Sequence, residues 1–338
     1  MYIGNMINPT EITITIDTEC SIAGAFADPE NKPIAEEAIL CEIDGKEHGV
    51  GFLLDTFEKY GIKASFFVEC AHYFYFGDDP MKNVIRRINQ AGQDTQLHIH
   101  PCWLNFIKDK NIGSFPINDS CQGRGYDELK KIFELCIDVF TNWTEKKPEA
   151  IRTGSLVADL NIYKVMRDLN IPLSSNVALG VNMPAEKELQ LFGGRQFING
   201  VMELPVFSYQ DTNFLGKKNI KSLQITSCSW PEMKYLLKKA RKEAITNIVI
   251  LTHPFEFIKR TDARFSHMTR NRVNQTRLEK LCRFIAEHDQ DFVSADFGSS
   301  AAKWQEKGPN DQGLLECPTY YMIGRKLHNK LNDTVWSY

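Results

Sequence analysis

The sequence predicts an α/β fold with parallel strands, a barrel being favoured and a doubly wound open sheet the alternative. Three observations carry this. Helical and extended patterns alternate along nearly 300 of the 338 residues, as crossover connections between parallel strands require. No interior linker, low-complexity segment or repeat divides the chain. Polar residues capable of chemistry gather where the extended segments end, and in both folds the active site lies at the carboxyl ends of the strands.

The elements follow in order. Residues 11–17, EITITID, are dominated by β-branched types with Ile alternating with polar neighbours, the mark of a strand. Residues 18–46 read as a loop broken by Gly24, Pro29 and Pro33, and connections of that length are usually functional. Between Gly49 and Tyr60 the apolar Phe52, Leu53, Phe57 and Tyr60 repeat at a helical period, with Gly61 as the C-terminal cap. Residues 63–69, KASFFVE, form a buried strand. The alternation continues with a helix over 81–91 stopped by Gly92, a strand over 94–100, a helix over 126–140 and a strand over 150–153. A helix over 161–169 leads to strands over 171–176 and 202–207. Then come a helix over 231–244 with Pro231 in its first turn, an Ile/Val-rich strand over 245–253, a helix over 277–288 and a last strand over 291–295.

Bulk properties narrow the function. With 43% hydrophobic residues a sizeable core is available, and a net charge of -3 offers no basic field for nucleic acid. No apolar run reaches the roughly 18 residues of a membrane span. The N-terminus lacks the basic and apolar regions of a secretory signal. The nine cysteines are odd in number and contain no CxxC pair. Free thiols in a reducing, cytoplasmic setting are therefore expected. Residues 1–300 are expected to form one domain, with 301–338 as a tail packed on it.

The strand ends carry Asp17 and Glu19, His98 and His100, Arg152, and His253. Two carboxylates two positions apart point to one side of an extended chain and suit a hard cation or acid–base work. His98 and His100 likewise share a strand face. Two imidazoles with one carboxylate leave room for water, the layout of a catalytic zinc site and also of non-haem iron. His253, followed by Pro254, can be a third ligand or a proton donor. Arg152 can hold a carboxylate in a bidentate grip. Trp103, Phe255 and Phe257 are candidates for an aromatic platform beside them, although such aromatics more often lie in the core.

Together these segments resemble the polysaccharide-deacetylase superfamily (NodB homology, carbohydrate esterase family 4) over roughly residues 11–296. Thr15-Ile16-Asp17-Thr18-Glu19 is similar to its first motif, and residues 54–68 look like the stretch that follows. His98-Ile99-His100-Pro101 resembles a branch with a His-x-His-Pro second motif. Arg152 matches the third motif, residues 202–206 stand where the fourth is expected, and Leu251-Thr252-His253 matches the fifth. The resemblance implies a distorted (β/α)7 barrel that removes N-acetyl, or O-acetyl, groups from a sugar with a divalent metal, Zn²⁺ by preference. It implies Asp17 as base, Arg152 as its support, His253 as acid, and Glu19, His98 and His100 as ligands. The swap of Asp17 with Glu19 stays open, and Cys102, four residues after His98, is the alternative ligand to His100. A backbone N–H of Gly154 or Ser155 is the expected oxyanion donor. The substrate is expected to be a carbohydrate, with a nucleotide- or lipid-linked precursor in view. A cyclic amide or ureide hydrolase of the same superfamily and a degenerate glycan-binding barrel are the competing readings.

Overall fold

The computed structural model describes residues 8–28, 30–109, 112–213 and 216–335. Pro29 and both chain ends lie outside them. The main sheet holds, in chain order, β1 (Thr10–Thr18), β2 (Ala64–Glu69), β3 (Asp94–Ile99), β4 (Ala150–Thr153), β5 (Leu173–Ser174), β6 (Gln196–Ile198), β7 (Val201–Glu203), β8 (Asn247–Thr252) and β9 (Phe292–Ser294). Spatially the order is β8-β1-β2-β3-β4-β5-β7-β6, with β9 beside the first half of β1. All these pairings are parallel except that of β6 with β7.

The sheet curls back on itself. Beyond β7, Val206 bridges Val249 and Gln224 bridges Leu251, both parallel, so the far edge returns to β8 through single bridges instead of a full strand. The result is the distorted (β/α)7 barrel, and the open-sheet alternative is set aside. Two apolar layers hold it. Ile12, Ile14 and Ile16 of β1 face outward into a core shared with the surrounding helices, such as Leu53 and Phe57 of the helix Val50–Tyr60. Phe67, Ala150, Met202, Leu204, Val249 and Leu251 fill the interior. Every residue of β1 is buried, so its inward polar side chains stay only if partnered.

Several elements lack a sequence signature. The segment 18–46 contains the short helix Glu36–Ile39 and the hairpin of Glu42–Ile43 with Lys46–Glu47, too short for any period to register. The run expected over 202–207 stops as a strand at Glu203, because Pro205 lacks the N–H a ladder needs. Ser208–Thr212 pairs antiparallel with Lys218–Ser222, and Leu315–Cys317 joins the same small sheet. The helix Phe297–Lys307 crosses residue 300 and buries Trp304, whose indole N–H donates to Glu11 at 2.6 Å. The helix Thr319–Val335 is tied down by Arg325, which donates to Asp211 at 2.6 Å and also pairs with Glu232. No helix among the described residues is long and apolar enough to cross a membrane. All nine cysteines are free and buried.

Candidate functional site

β1, β3, β4 and β8 all run toward the same end of the barrel, and the chemistry-bearing side chains meet there. Asp17 is buried near the end of β1. One of its oxygens, Oδ1, accepts from Arg152 Nη1 at 2.5 Å. Arg152 stands on β4 opposite His98 of β3 and is fully buried. Its remaining donors reach Thr15 Oγ1 at 3.0 Å, Ser175 Oγ at 2.7 Å and the Ser175 carbonyl at 2.9 Å, and its plane lies over Phe67 at 4.2 Å. Asp17 Oδ2 carries no such commitment. It lies 4.0 Å from His98 Nε2 and 3.9 Å from His253 Nε2.

Glu19, His98 and His100 offer three donor atoms within 4.8 Å of one another. Glu19 Oε2 is 2.9 Å from His100 Nε2 and 3.3 Å from His98 Nε2, and the two Nε2 atoms are 3.1 Å apart. The opposite ring nitrogens are engaged: His98 Nδ1 with the Arg152 carbonyl at 2.9 Å, His100 Nδ1 with Asp119 at 2.6 Å. Both acceptors favour the tautomer with hydrogen on Nδ1, which leaves both Nε2 lone pairs aimed at one place beside a carboxylate. Such a donor set repels itself unless a cation or a proton intervenes, so these residues fit a divalent ion. In the metal-free protein burial opposes charge on Glu19, yet His100 and His98 draw its carboxyl well below the usual range. Burial also opposes charge on His100, and Glu19 with Asp119 carries its pKa well above the ordinary histidine value. His100 packs so close to Gly154 that a Cβ there would meet its ring at 2.5 Å. A side chain there would have to push the His100 ring aside.

His253 ends β8. Its Nδ1 lies 3.0 Å from Glu256, which also accepts from Thr252 Oγ1 at 2.6 Å, and its ring stacks on Phe255 at 4.9 Å. Burial lowers the His253 pKa, but Glu256 first, then Glu19 and Asp17, raise it to about 9. In the metal-free protein this favours the protonated imidazole at neutral pH, with Nε2 facing Asp17.

The structure thus brings Asp17, Glu19, His98, His100, Arg152 and His253 to one place, where a cavity of about 480 Å³ touches all but Arg152. Ser155 borders it in a left-handed conformation (φ 57°). Cys102 stands outside the trio, buried beside Asp119, and burial followed by that carboxylate pushes its thiol far up. Of the platform candidates, Phe257 is 0% exposed and serves the core, while Trp103, 1% exposed, packs in the core and reaches only the smaller cavity beside Glu19 and His100. Asp119, Ser175 and Glu256 were missed by sequence reasoning. Only Glu256, three residues after His253 across a Pro, sits in a pattern that short-range reading could have found. Glu203, in the fourth segment, is buried. It accepts from Ser174, Tyr163 and the N–H groups of Asn176 and Val177 at 2.5–3.0 Å. It thereby fixes the loop whose Ser175 grips Arg152.

No family model matches the chain, and no curated protein matches it in sequence. Among solved structures, a candidate polysaccharide deacetylase from Mycobacterium smegmatis superposes with a TM-score of 0.55 at 14% identity, over 91% of this chain and 94% of that one. A family 4 carbohydrate esterase from Streptomyces lividans, in complex with acetate, gives 0.43 at 10% identity over 91% and 99%. A CE4 family pseudoenzyme from Bacillus anthracis gives 0.43 at 11% identity over 87% and 66%. The last two scores are too low to argue from. What the first establishes is a common fold, the distorted (β/α)7 barrel of the NodB-homology type.

Proposed function

We propose that this protein is a metal-dependent hydrolase that removes an acetyl group from an amide nitrogen of a sugar or glycan precursor. The observation that carries the reading is the convergence of a Glu19–His98–His100 donor set with an Arg-held carboxylate and a Glu256-held histidine around one cavity. Glu19, His98 and His100 would hold the ion, Zn²⁺ by preference, which when bound lowers the pKa of water to about 7 and polarises a carbonyl. Asp17 is the base. Arg152 holds its Oδ1, leaving Oδ2 to take the proton of the attacking water. His253 is the acid. Glu256 fixes its Nδ1, so the Nε2 proton is presented to the departing nitrogen, which would otherwise leave as a poor amide anion. The backbone N–H of Gly154 or Ser155 is the proposed oxyanion donor. Cys102 is assigned to the core. The barrel shared with a candidate polysaccharide deacetylase agrees with this reading.

The test is product analysis. Incubation with N-acetylated sugars should release acetate and free amine in equal amounts. Ring-opened product from cyclic ureides with no acetate from any sugar would replace the reading with the ureide one. Sugar binding without turnover in metal-loaded protein would favour the degenerate barrel.

A further inference from the structure

Glu19 and His100 also form one wall of a second cavity, of about 210 Å³, beside the one that contains Asp17 and His253. Phe255, Arg260 and Phe265 line its far part. Arg260 ends the short strand Ile258–Arg260, which pairs with Met268–Arg270. Its guanidinium lies over Phe265 at 4.2 Å and over Phe255 at 5.5 Å. Phe255 is itself stacked on His253, so the cation stands one ring away from the imidazole. No carboxylate among the described residues forms an ion pair with Arg260. A guanidinium laid on aromatic faces keeps its N–H edge outward, the geometry that takes a carboxylate or phosphate in a two-point grip. The surrounding segment adds to the field. Residues 260–272 carry Arg260, Arg264, Arg270 and Arg272 against the single acid Asp262, in a chain of net charge -3, while Lys259 is buried against the Asn332 carbonyl. Of these only Arg260 borders the cavity, which Glu19 and Asp119 also line, and the others add a longer-range attraction for anions. An arginine needed only to cover the two rings would not require this charge.

We infer that Arg260 is a specificity-determining residue that grips an anionic substituent, phosphate or carboxylate, on the sugar whose nitrogen is released beside His253. This rests on the proposed deacetylase reading and narrows its substrate to acidic sugars. The test compares three probes on the metal-loaded full chain: N-acetylglucosamine 1-phosphate, N-acetylglucosaminuronic acid and the neutral methyl glycoside of N-acetylglucosamine. At least one acidic probe should be preferred over the neutral one, the better of the two identifying the group. The preference should shrink with added salt. Arg260→Gln should raise KM for that probe roughly tenfold or more, the worth of a charge-assisted hydrogen bond. The neutral probe should lose far less, and Arg260→Lys should fall between. Equal wild-type rates on charged and neutral probes, or equal losses on all three in Arg260→Gln, would overturn the assignment. If the wild type hydrolyses none of them, the deacetylase reading fails. Calorimetric binding of the sugar phosphate then decides on Arg260 by itself: binding that Arg260→Gln abolishes upholds it, and no binding, or binding unaffected by the change, rejects it.

Discussion

Replacing His253 by Ala is expected to lower amide hydrolysis by roughly 10²–10⁴-fold, the usual contribution of a positioned proton donor, while leaving hydrolysis of an activated acetate ester nearly intact. An ester with a good leaving group departs without a proton. Asp17→Asn should lose both activities to a similar extent, because both need the water deprotonated. The asymmetry follows from geometry. His253 is held on its Nδ1 side by Glu256, and only Nε2 is left to face the reacting groups. In the metal-free protein the neighbouring carboxylates raise its pKa to about 9. Activity on amides should therefore fall as pH rises through the alkaline range and the proton is lost. Glu256→Gln removes the first of the raising partners and should move that limb toward lower pH. The sign for stability is the same. A histidine whose folded-state pKa exceeds its unfolded value stabilises the protein below about pH 6.5. That contribution is lost as pH rises through about 9. Equal loss of amide and ester hydrolysis in His253→Ala would move this residue out of the acid's role.

Arg152→Met is expected to be the most destabilising single change at the site, by about 3–5 kcal/mol. The pair is buried, and the guanidinium satisfies Asp17, Thr15 and the hydroxyl and carbonyl of Ser175 at once. Removing it strands a buried carboxylate and leaves the Ser175 carbonyl without its donor. The double variant Asp17→Asn with Arg152→Met should be less destabilised than the sum of the singles, because the stranded charge is gone. Denaturant midpoints of the four proteins measure this. Additive losses, or a loss below about 1 kcal/mol in Arg152→Met, would mean that the pair is not what holds Asp17.

The sequence carried the barrel because each of its main strands and helices is local in character. The β-branched alternation of β1, the Gly61 and Gly92 stops and the apolar run of β8 are all visible within a dozen residues. The candidate site was legible for the same reason. Asp17, Glu19, His98, His100, Arg152 and His253 each end a strand, and parallel topology brings such ends together whatever the detailed register. The partners that orient them were not legible. Asp119 reaches His100 from an irregular loop, and Ser175 reaches Arg152 through a turn that Glu203 fixes from a further strand. These are long-range contacts with no spacing to announce them. Phe257 misled because an aromatic beside a catalytic residue reads the same whether it faces solvent or core. The two C-terminal helices escaped since their anchors, Trp304 on Glu11 and Arg325 on Asp211, lie far away in sequence.

The central claim is that Glu19, His98 and His100 hold a divalent ion on which hydrolysis depends. Metal content by elemental analysis, taken with amidase activity before and after chelation, tests it most directly. About one ion per chain is expected, with activity lost on removal and restored by Zn²⁺. His100→Ala should lose the ion and Cys102→Ser should keep it. Asp119→Ala should bind it roughly 10–100-fold more weakly, as loss of a carboxylate behind a ligand histidine does. Full activity in metal-free protein, or an ion lost from Cys102→Ser but kept by His100→Ala, would contradict the account.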